Sequence, residues 1–331
     1  MNIKFTTKAF GALAAALLLS TSANAACGKM QIADMNWASA SLMANVDAAI
    51  LNAMGCETEL VVGATMTTWA SMDATGKPDV APEIWANAMA TLVDSAVAAG
   101  RVHVGNAAPM SGLGEGWFMD PITRDAHPEL TTVEAVIARP DLFPDKEDPS
   151  KGAFMGCPAG WGCQLASINL FRAHDMEAKG WKLLDPGSAA GLDADIVRAS
   201  EQGEPWFGYY WAPTAVLGKY PMVAVSVGEY NAEAHTCNGS VDCTDPSYSA
   251  YPAAKVVTAA SQAFVDREPE IAELMKNVSF TNAQMGAVLA WRLDNNASYD
   301  EAAVYFLTTN KDVWGGWLND EAKGKLAALL K

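Results

Sequence analysis

The sequence has few of the patterns by which enzymes and metal-binding proteins are commonly identified. Its four histidines stand at no metal-ligand spacing, and it contains no phosphate-binding loop. The nearest approach to a Gly-x-Ser-x-Gly nucleophile elbow is residues 224–228, which lie in a predicted strand. These absences disfavour catalysis, and we expect neither a cofactor nor a metal ion.

Basic residues are also scarce. The chain has 22 lysines and arginines against 38 aspartates and glutamates, a formal net charge of −16. Nucleic acids and anionic membranes attract proteins of the opposite charge balance. The composition therefore argues against both as partners.

Long apolar runs are absent except at the N-terminus. There, Lys4 and Lys8 precede an apolar run over residues 9–19 and the small-residue sequence of residues 23–25. This pattern is typical of a secretory signal peptide, and its apolar core is too short to cross a membrane. We predict a signal peptide over residues 1–25 and a mature, exported chain in the periplasm. Cys27 also suggests a lipoprotein, but the leucine usual before such a cysteine is missing.

Six cysteines in an exported chain indicate disulfides. Sequence proximity favours the pairs Cys157–Cys163 and Cys237–Cys243, which leaves Cys27 with Cys56. Residues 29–33 and 57–62 read as strands with a helix between them, and the two strands of a right-handed β-α-β unit are parallel neighbours. A bridge between the residues that precede them follows from that arrangement.

Strand and helix patterns alternate along the mature chain, which predicts an α/β fold of two lobes. Trp37 follows the strand at residues 29–34, and Trp85 ends the strand at residues 79–85. Ligands of open α/β sheets bind at the carboxyl ends of strands, where both tryptophans are expected. Glycine-rich residues 112–117 are interpreted as a crossover between lobes, and residues 253–265 as a helix.

The most informative stretch is Gly-Cys-Pro-Ala-Gly-Trp-Gly-Cys at residues 156–163, a built loop followed by a predicted helix over residues 164–174. Trp161 therefore lies just ahead of a helix N-terminus. Such a terminus attracts an anion through unpaired N–H groups, while an indole face attracts a cation that cannot donate a hydrogen bond. A zwitterion with a quaternary nitrogen suits this corner. Trp211 ends a later strand that is rich in aromatic residues.

Five blocks together resemble the glycine betaine/proline betaine-binding proteins of ATP-binding-cassette importers, and the resemblance covers nearly the whole mature chain. The blocks are DMNW (34–37), DVAPEIW (79–85), GCPAGWGC (156–163), YYWAPT (209–214) and GGWLN (315–319).

This resemblance implies a hinged, two-lobed periplasmic binding fold of type II-like form, with the ligand in the cleft between the lobes. It assigns Trp85, Trp161 and Trp211 to a cage around a trimethylammonium group, with Trp37 as a fourth wall. It assigns the backbone N–H groups of Gly162 and Cys163 to the ligand carboxylate. The implied partner is a membrane permease, and we expect a monomer.

We predict that residues 26–116 and 223–331 form the first lobe, which carries Trp37 and Trp85. Residues 117–222 then form the second lobe, which carries Trp161 and Trp211. Two crossovers connect the lobes and act as the hinge.

Two acidic residues depart from the pattern expected of a plain betaine binder. A carboxylate of Glu83 or Glu115 facing the cage repels a ligand carboxylate and favours choline, a carnitine-like alcohol or trimethylamine N-oxide. Dimethylsulfoniopropionate fits the same cage as betaine.

An exported hydrolase of choline or betaine esters is the alternative from a different class, and a structural or adhesion role is a third. For any single carboxylate, Glu83 included, a solvated position is the simpler interpretation.

Overall fold

The computed structural model describes residues 27–107 and 114–330 of the 331-residue chain. The predicted signal peptide lies outside these residues. Ten strands are present: β1 (Lys29–Met35), β2 (Glu57–Gly63), β3 (Val80–Trp85), β4 (Val102–Ala107), β5 (Glu115–Met119), β6 (Gly152–Met155), β7 (Trp181–Leu184), β8 (Phe207–Trp211), β9 (Val223–Val225) and β10 (Val256–Ser261).

The first seven helices in the described ranges are α1 (Ala38–Ala53), α2 (Thr65–Thr75), α3 (Ala90–Ala98), α4 (Pro121–Ala126), α5 (Val133–Ile137), α6 (Cys163–Ala173) and α7 (Ala189–Gln202). The remaining eight are α8 (Ala215–Lys219), α9 (Ala232–Asn238), α10 (Gln262–Arg267), α11 (Pro269–Met275), α12 (Asn282–Asp294), α13 (Tyr299–Thr309), α14 (Lys311–Trp314) and α15 (Asp320–Leu329). A short 3-10 helix at Ala86–Met89 joins β3 to α3.

The strands form two mixed sheets of five strands each. The first has the order β2-β1-β3-β10-β4, and the second has the order β7-β6-β8-β5-β9. In the first sheet β1 runs parallel to β2 and β3, whereas β10 is antiparallel to both of its neighbours. The second sheet repeats this arrangement, with β6 parallel to β7 and β8 and with β5 antiparallel to β8 and β9. The chain therefore builds two similar α/β units, and it returns to the first of them with β10.

The first β-α-β unit follows from its sequence. Helix α1 buries its apolar residues against β1, and the chain leaves the helix through Gly55, whose φ of 93° lies in the left-handed region that favours glycine. Strands β1 and β2 then pair in parallel from Lys29 opposite Glu57. Cys27 and Cys56, which precede these strands, form a disulfide.

The other two predicted disulfides, Cys157–Cys163 and Cys237–Cys243, are also present. Each closes a loop with a sequence separation of six residues, whereas the Cys27–Cys56 bridge has a separation of 29. All six cysteines are thus used in bridges. They contribute no free thiol.

The helix predicted over residues 253–265 is wrong for most of its length. Residues Val256–Ser261 form strand β10, and all six of them are buried. An apolar run this short has no periodicity that separates a strand from a buried helix, and pairing with both β3 and β4 decides the outcome here. Helix structure begins only at Gln262, where the Ser261 hydroxyl accepts a hydrogen bond from the Phe264 N–H.

The chain passes between the sheets after β4 and again after β9. Of the predicted glycine-rich bend at residues 112–117, residues 112 and 113 lie outside the described residues, and residues 115–117 belong to strand β5, which pairs along its length with β8. Strand β9 at Val223–Val225 also belongs to the second sheet. The second sheet thus reaches slightly beyond residues 117–222 at both ends, and the lobe limits remain a prediction.

The C-terminal helices complete the core of the first sheet. Helix α13 packs against α1, and Trp317 packs its ring against Phe306 and Phe280. The Trp314 Nε1–H donates to the Leu307 carbonyl oxygen at 2.7 Å. No helix within residues 27–107 or 114–330 is both long and apolar enough to cross a membrane.

We predict that removing the Cys27–Cys56 bridge by Cys27→Ser with Cys56→Ser lowers the free energy of unfolding by about 3–4 kcal/mol. The physical reason is that a longer closed loop restricts the unfolded chain more. Urea denaturation followed by far-ultraviolet circular dichroism measures the loss.

The matched control is Cys237→Ser with Cys243→Ser, for which the same relation gives a loss of about 2 kcal/mol because the loop is short. An equal or smaller loss from the long loop than from the short one contradicts the prediction.

Candidate functional site

A single cavity between the two sheets collects most of the residues singled out in the sequence. It encloses about 340 Å³, counting its open mouth. Residues from the units of both sheets line it: Trp37, Thr65, Trp85 and Ala88 from the first, and Glu115, Trp161, Gly162, Cys163, Tyr209 and Trp211 from the second.

The ends of strands bring the four tryptophans to this place. Trp37 follows β1 and immediately precedes α1, and Trp85 is the last residue of β3, a parallel neighbour of β1. Trp161 lies between β6 and α6, and Trp211 is the last residue of β8, a parallel neighbour of β6. Carboxyl ends of parallel strands share one edge of a sheet, so each sheet presents two indoles at its edge.

Neighbouring rings meet at steep angles. The Trp37 and Trp161 ring centroids are 5.1 Å apart with 63° between the planes, and those of Trp161 and Trp211 are 5.0 Å apart with 76° between the planes. Such edge-to-face pairs are favourable for aromatic rings. Adjacent walls at these angles form the corners of a box rather than a flat stack.

The two sheets touch around the cavity. The Trp161 Nε1–H donates to Asn36 Oδ1 at 2.8 Å, and the Met66 N–H donates to the Gly160 carbonyl oxygen at 3.2 Å. Gly162 approaches Ala88 so closely that a Cβ at Gly162 would lie 3.0 Å from the Ala88 Cβ. The structure is therefore a closed arrangement, and the glycine at position 162 permits the close approach.

Helix α6 begins at the cavity. Its first residue is Cys163, and Gly162 is its N-cap residue. The preceding loop is held by the Cys157–Cys163 disulfide and by a hydrogen bond from the Gly160 N–H to Gln164 Oε1 at 2.9 Å. The first N–H groups of a helix have no partner within it, and the helix dipole places about half a positive charge there. This corner of the cavity is suited to an anionic group.

Glu115 is the acidic residue among those that line the cavity. It lies in β5 opposite Trp211, and its Oε1 accepts a hydrogen bond from the Tyr209 hydroxyl at 2.9 Å. Removal from bulk water raises the pKa of Glu115 to about 7, although the bond from Tyr209 acts in the opposite direction. Near neutral pH this carboxyl group is thus close to the midpoint of its titration.

The expectation that Glu83 is solvated or faces the ligand is wrong. This residue is fully buried in β3 and does not line the cavity. Its Oε1 accepts hydrogen bonds from Trp37 Nε1 at 2.7 Å and Trp85 Nε1 at 2.9 Å. The Ser39 hydroxyl donates to the same oxygen at 3.0 Å. Glu83 therefore stands behind two of the cavity walls and holds both.

Sequence reasoning missed three lining residues, Thr65, Ala88 and Tyr209. Tyr209 had a usable signal, because residues two apart in a strand share a face and Trp211 ends the same strand. Thr65 begins α2, and Ala88 lies in the 3-10 helix after β3. Nothing in their residue types distinguishes these two from other small residues.

The cavity has an unusual charge balance. Among its lining residues, all within the described part of the chain, there is no lysine, arginine or histidine. Aromatic faces attract a cation without donating hydrogen bonds, and backbone N–H groups donate hydrogen bonds to an anion. The sulfur of Cys163 is tied in a disulfide. The lining can therefore enclose a methylated cation and orient its polar end.

Comparison with known proteins places this arrangement in a family. The chain matches the model of the substrate-binding domain of the ABC-type glycine betaine transport system over residues 28–309. The glycine betaine/proline betaine-binding periplasmic protein of Escherichia coli is 24% identical over 229 residues, which are 64% of this chain and 65% of that protein. The chain thus spans just under two thirds of that relative's length.

Other relatives and solved structures agree with this assignment. The trimethylamine N-oxide-binding protein of Pelagibacter ubique is 23% identical over 286 residues, 84% of this chain and 87% of that protein. A choline-binding protein of an ABC transporter, solved with choline, has a TM-score of 0.74 at 18% identity and covers 92% of this chain and 99% of its own.

The lactococcal OpuAC protein, solved closed with glycine betaine, has a TM-score of 0.67 at 16% identity, with 88% of this chain and all (100%) of that chain covered. These structures confirm the predicted two-lobed α/β fold of periplasmic binding proteins. The chain belongs to the family of substrate-binding domains of ABC-type glycine betaine transport systems.

Proposed function

We propose that this protein captures a small methylated onium compound in the cavity and delivers it to an ABC permease. The observation that carries the proposal is that indole rings from both sheets line one cavity that has no cationic side chain among the described residues. A quaternary nitrogen spreads its charge over methyl groups and has no N–H to donate. Aromatic faces stabilise such a cation by about 2 kcal/mol or more each when it is desolvated.

A zwitterion such as glycine betaine is the first candidate ligand. Its cationic head fits among Trp37, Trp85, Trp161 and Trp211, and its carboxylate fits the N–H groups of Gly162 and Cys163 at the start of α6. The relative from Escherichia coli and the lactococcal structure support this choice by the ligands in their names. Dimethylsulfoniopropionate, a sulfonium zwitterion, presents the same two ends.

A second candidate class has a head group without a carboxylate, namely trimethylamine N-oxide or choline. The half-buried carboxyl group of Glu115 favours this class, because it lines the same cavity and in its ionised form repels a ligand carboxylate. The relative from Pelagibacter ubique and the choline complex carry these ligands in their names.

The remaining parts of the proposal concern location and partner. The N-terminal pattern of Lys4, Lys8 and the apolar run supports export, and the relative from Escherichia coli is named a periplasmic protein. A monomer that closes around its ligand then presents the closed form to the permease. The family consists of substrate-binding domains, so it gives no support to the ester hydrolase.

We predict that Trp161→Ala weakens binding of the best onium ligand by about thirtyfold, because one aromatic face contributes about 2 kcal/mol. Isothermal titration calorimetry measures affinities of glycine betaine, choline, trimethylamine N-oxide and dimethylsulfoniopropionate for the unmodified protein and the variant.

The control is Trp291→Ala, which removes an indole that stacks on Tyr305 at a centroid distance of 3.9 Å, away from the cavity. The variant at Trp291 should keep the affinity of the unmodified protein. Binding by the Trp161 variant within twofold of the unmodified protein rules out the assignment of the cage.

We also predict that pH selects between the two ligand classes. As pH rises from 6 to 8, Glu115 ionises through its pKa of about 7. Choline binding should strengthen and glycine betaine binding should weaken, each by several-fold, because a new negative charge attracts one ligand and repels the carboxylate of the other. Titration calorimetry at both pH values in matched ionic strength measures the change.

The comparison variant is Glu115→Gln, which should remove the pH dependence for both ligands. The control variant is Glu177→Gln, which changes an exposed carboxyl group and should leave the pH dependence of binding intact. The same pH dependence in the unmodified protein and in the Glu115 variant would show that another group causes it.

A further inference from the structure

Glu83 is an acidic residue in the interior of the protein whose hydrogen-bond partners are all neutral. The side chain is wholly inaccessible to solvent, and it forms no ion pair with a lysine, arginine or histidine of the described residues. Three donors meet at its Oε1, while Oε2 is buried without a partner. A buried charge without a counter-ion is costly, so this position requires a physical explanation.

The three donors favour an ionised carboxylate. Hydrogen bonds to a charged acceptor are stronger than those between neutral groups, so three donors on one oxygen stabilise the charged form. Burial works against ionisation and raises the pKa of Glu83, while the bonds from Trp37, Trp85 and Ser39 lower it. A positive charge brought into the neighbouring cavity shifts the balance further toward the ionised form.

Two of the donors are the indoles of Trp37 and Trp85, which line the cavity. An indole has one N–H, so a single strong bond at that edge fixes how the ring is rotated. Glu83 and Trp85 lie two residues apart in β3 and so share a face of the strand. Trp37 and Ser39 lie at the start of α1, the helix that follows β1, and β1 is the parallel neighbour of β3. One oxygen thus ties two elements and two cavity walls together.

We propose that Glu83 is a positioning and specificity-determining residue of the cage: it fixes two indoles and supplies the counter-charge for the onium head of the ligand. The inference rests on the proposed function and adds to it the residue that supplies the compensating charge. The carboxylate stands one ring behind the cavity wall, where it touches no ligand atom. It attracts the cation through a low-dielectric interior and donates electron density to the two rings through their N–H edges.

Glu115 is the other acidic group that faces this region, from β5 of the second sheet. It differs from Glu83 in being open to the cavity and bonded to a tyrosine hydroxyl. A test of Glu83 must therefore hold the state of Glu115 constant. Working at a single pH above 8 keeps Glu115 largely ionised in every measurement, and it also favours the ionised form of Glu83, whose pKa is raised by burial.

The test compares two ligands of the same shape that differ by one positive charge. They are choline and dimethylbutanol, the neutral analogue in which carbon replaces the quaternary nitrogen. Ligand-observed NMR measures both affinities, including weak ones, for the unmodified protein, for Glu83→Gln and for Glu83→Met. Glutamine keeps an acceptor oxygen and removes the charge, whereas methionine removes both.

We expect Glu83→Gln to weaken choline binding by roughly tenfold or more and dimethylbutanol binding by less than about threefold, because only choline interacts with the lost charge. We expect Glu83→Met to weaken both ligands, because the two indole N–H groups lose their acceptor. The ratio of the two affinities separates these effects, since a general loss of folded protein lowers both affinities equally.

The matched control is Asp47→Asn. Asp47 is another fully buried carboxyl group, on α1 about 15 Å along the helix from Trp37, and neither of its oxygens has a hydrogen-bond partner. This variant should keep the ligand ratio of the unmodified protein.

An unchanged choline-to-dimethylbutanol ratio in Glu83→Gln overturns the inference and leaves the proposed function standing. If the unmodified protein binds none of choline, glycine betaine, trimethylamine N-oxide and dimethylsulfoniopropionate, the proposed function fails and this inference fails with it.

Discussion

The edge-to-face contact between Trp37 and Trp161 is the interaction on which the site depends. One ring belongs to the first sheet and the other to the second, and their centroids are 5.1 Å apart. Neither sheet alone can surround a cation, because each presents only two indoles at one edge. Four walls exist only when the sheets meet, so the same contacts that close the protein also complete the cavity.

Much of this arrangement can be predicted from short stretches of the sequence. Trp37, Trp85 and Trp211 stand where strands end, and Trp161 stands between two cysteines ahead of a helix. Such positions follow from local patterns and from the rule that open sheets bind ligands at their carboxyl edge. The disulfide of Cys27 was also predictable, because parallel neighbouring strands begin side by side.

Other features depend on partners that the local sequence does not contain. Strand β10 has the apolar, alanine-containing composition of a buried helix, and only its place between β3 and β4 makes it a strand. Ala88 lines the cavity because Gly162 of the other sheet packs against it. Glu83 carries the hydrophilic side chain of a surface residue, yet the N–H groups of Trp37 and Trp85 hold it in the interior. Its i, i+2 relation to Trp85 was readable, but its contact with Trp37 joins residues 46 apart in sequence.

The two acidic residues near the cage, Glu83 and Glu115, have different environments, so their carboxyl groups behave differently. Glu83 receives three donors and no solvent, so its carboxyl group is held at a fixed place behind the rings. Glu115 receives one donor from Tyr209 and opens to the cavity, so its charge depends on pH and on the ligand. When protonated, Glu115 offers an O–H to a ligand oxygen; when ionised, it repels a carboxylate. In the proposed function, the indoles and Glu83 account for the recognition of a methylated cation, whereas the choice among such cations depends on the polar groups at Glu115 and at the start of α6.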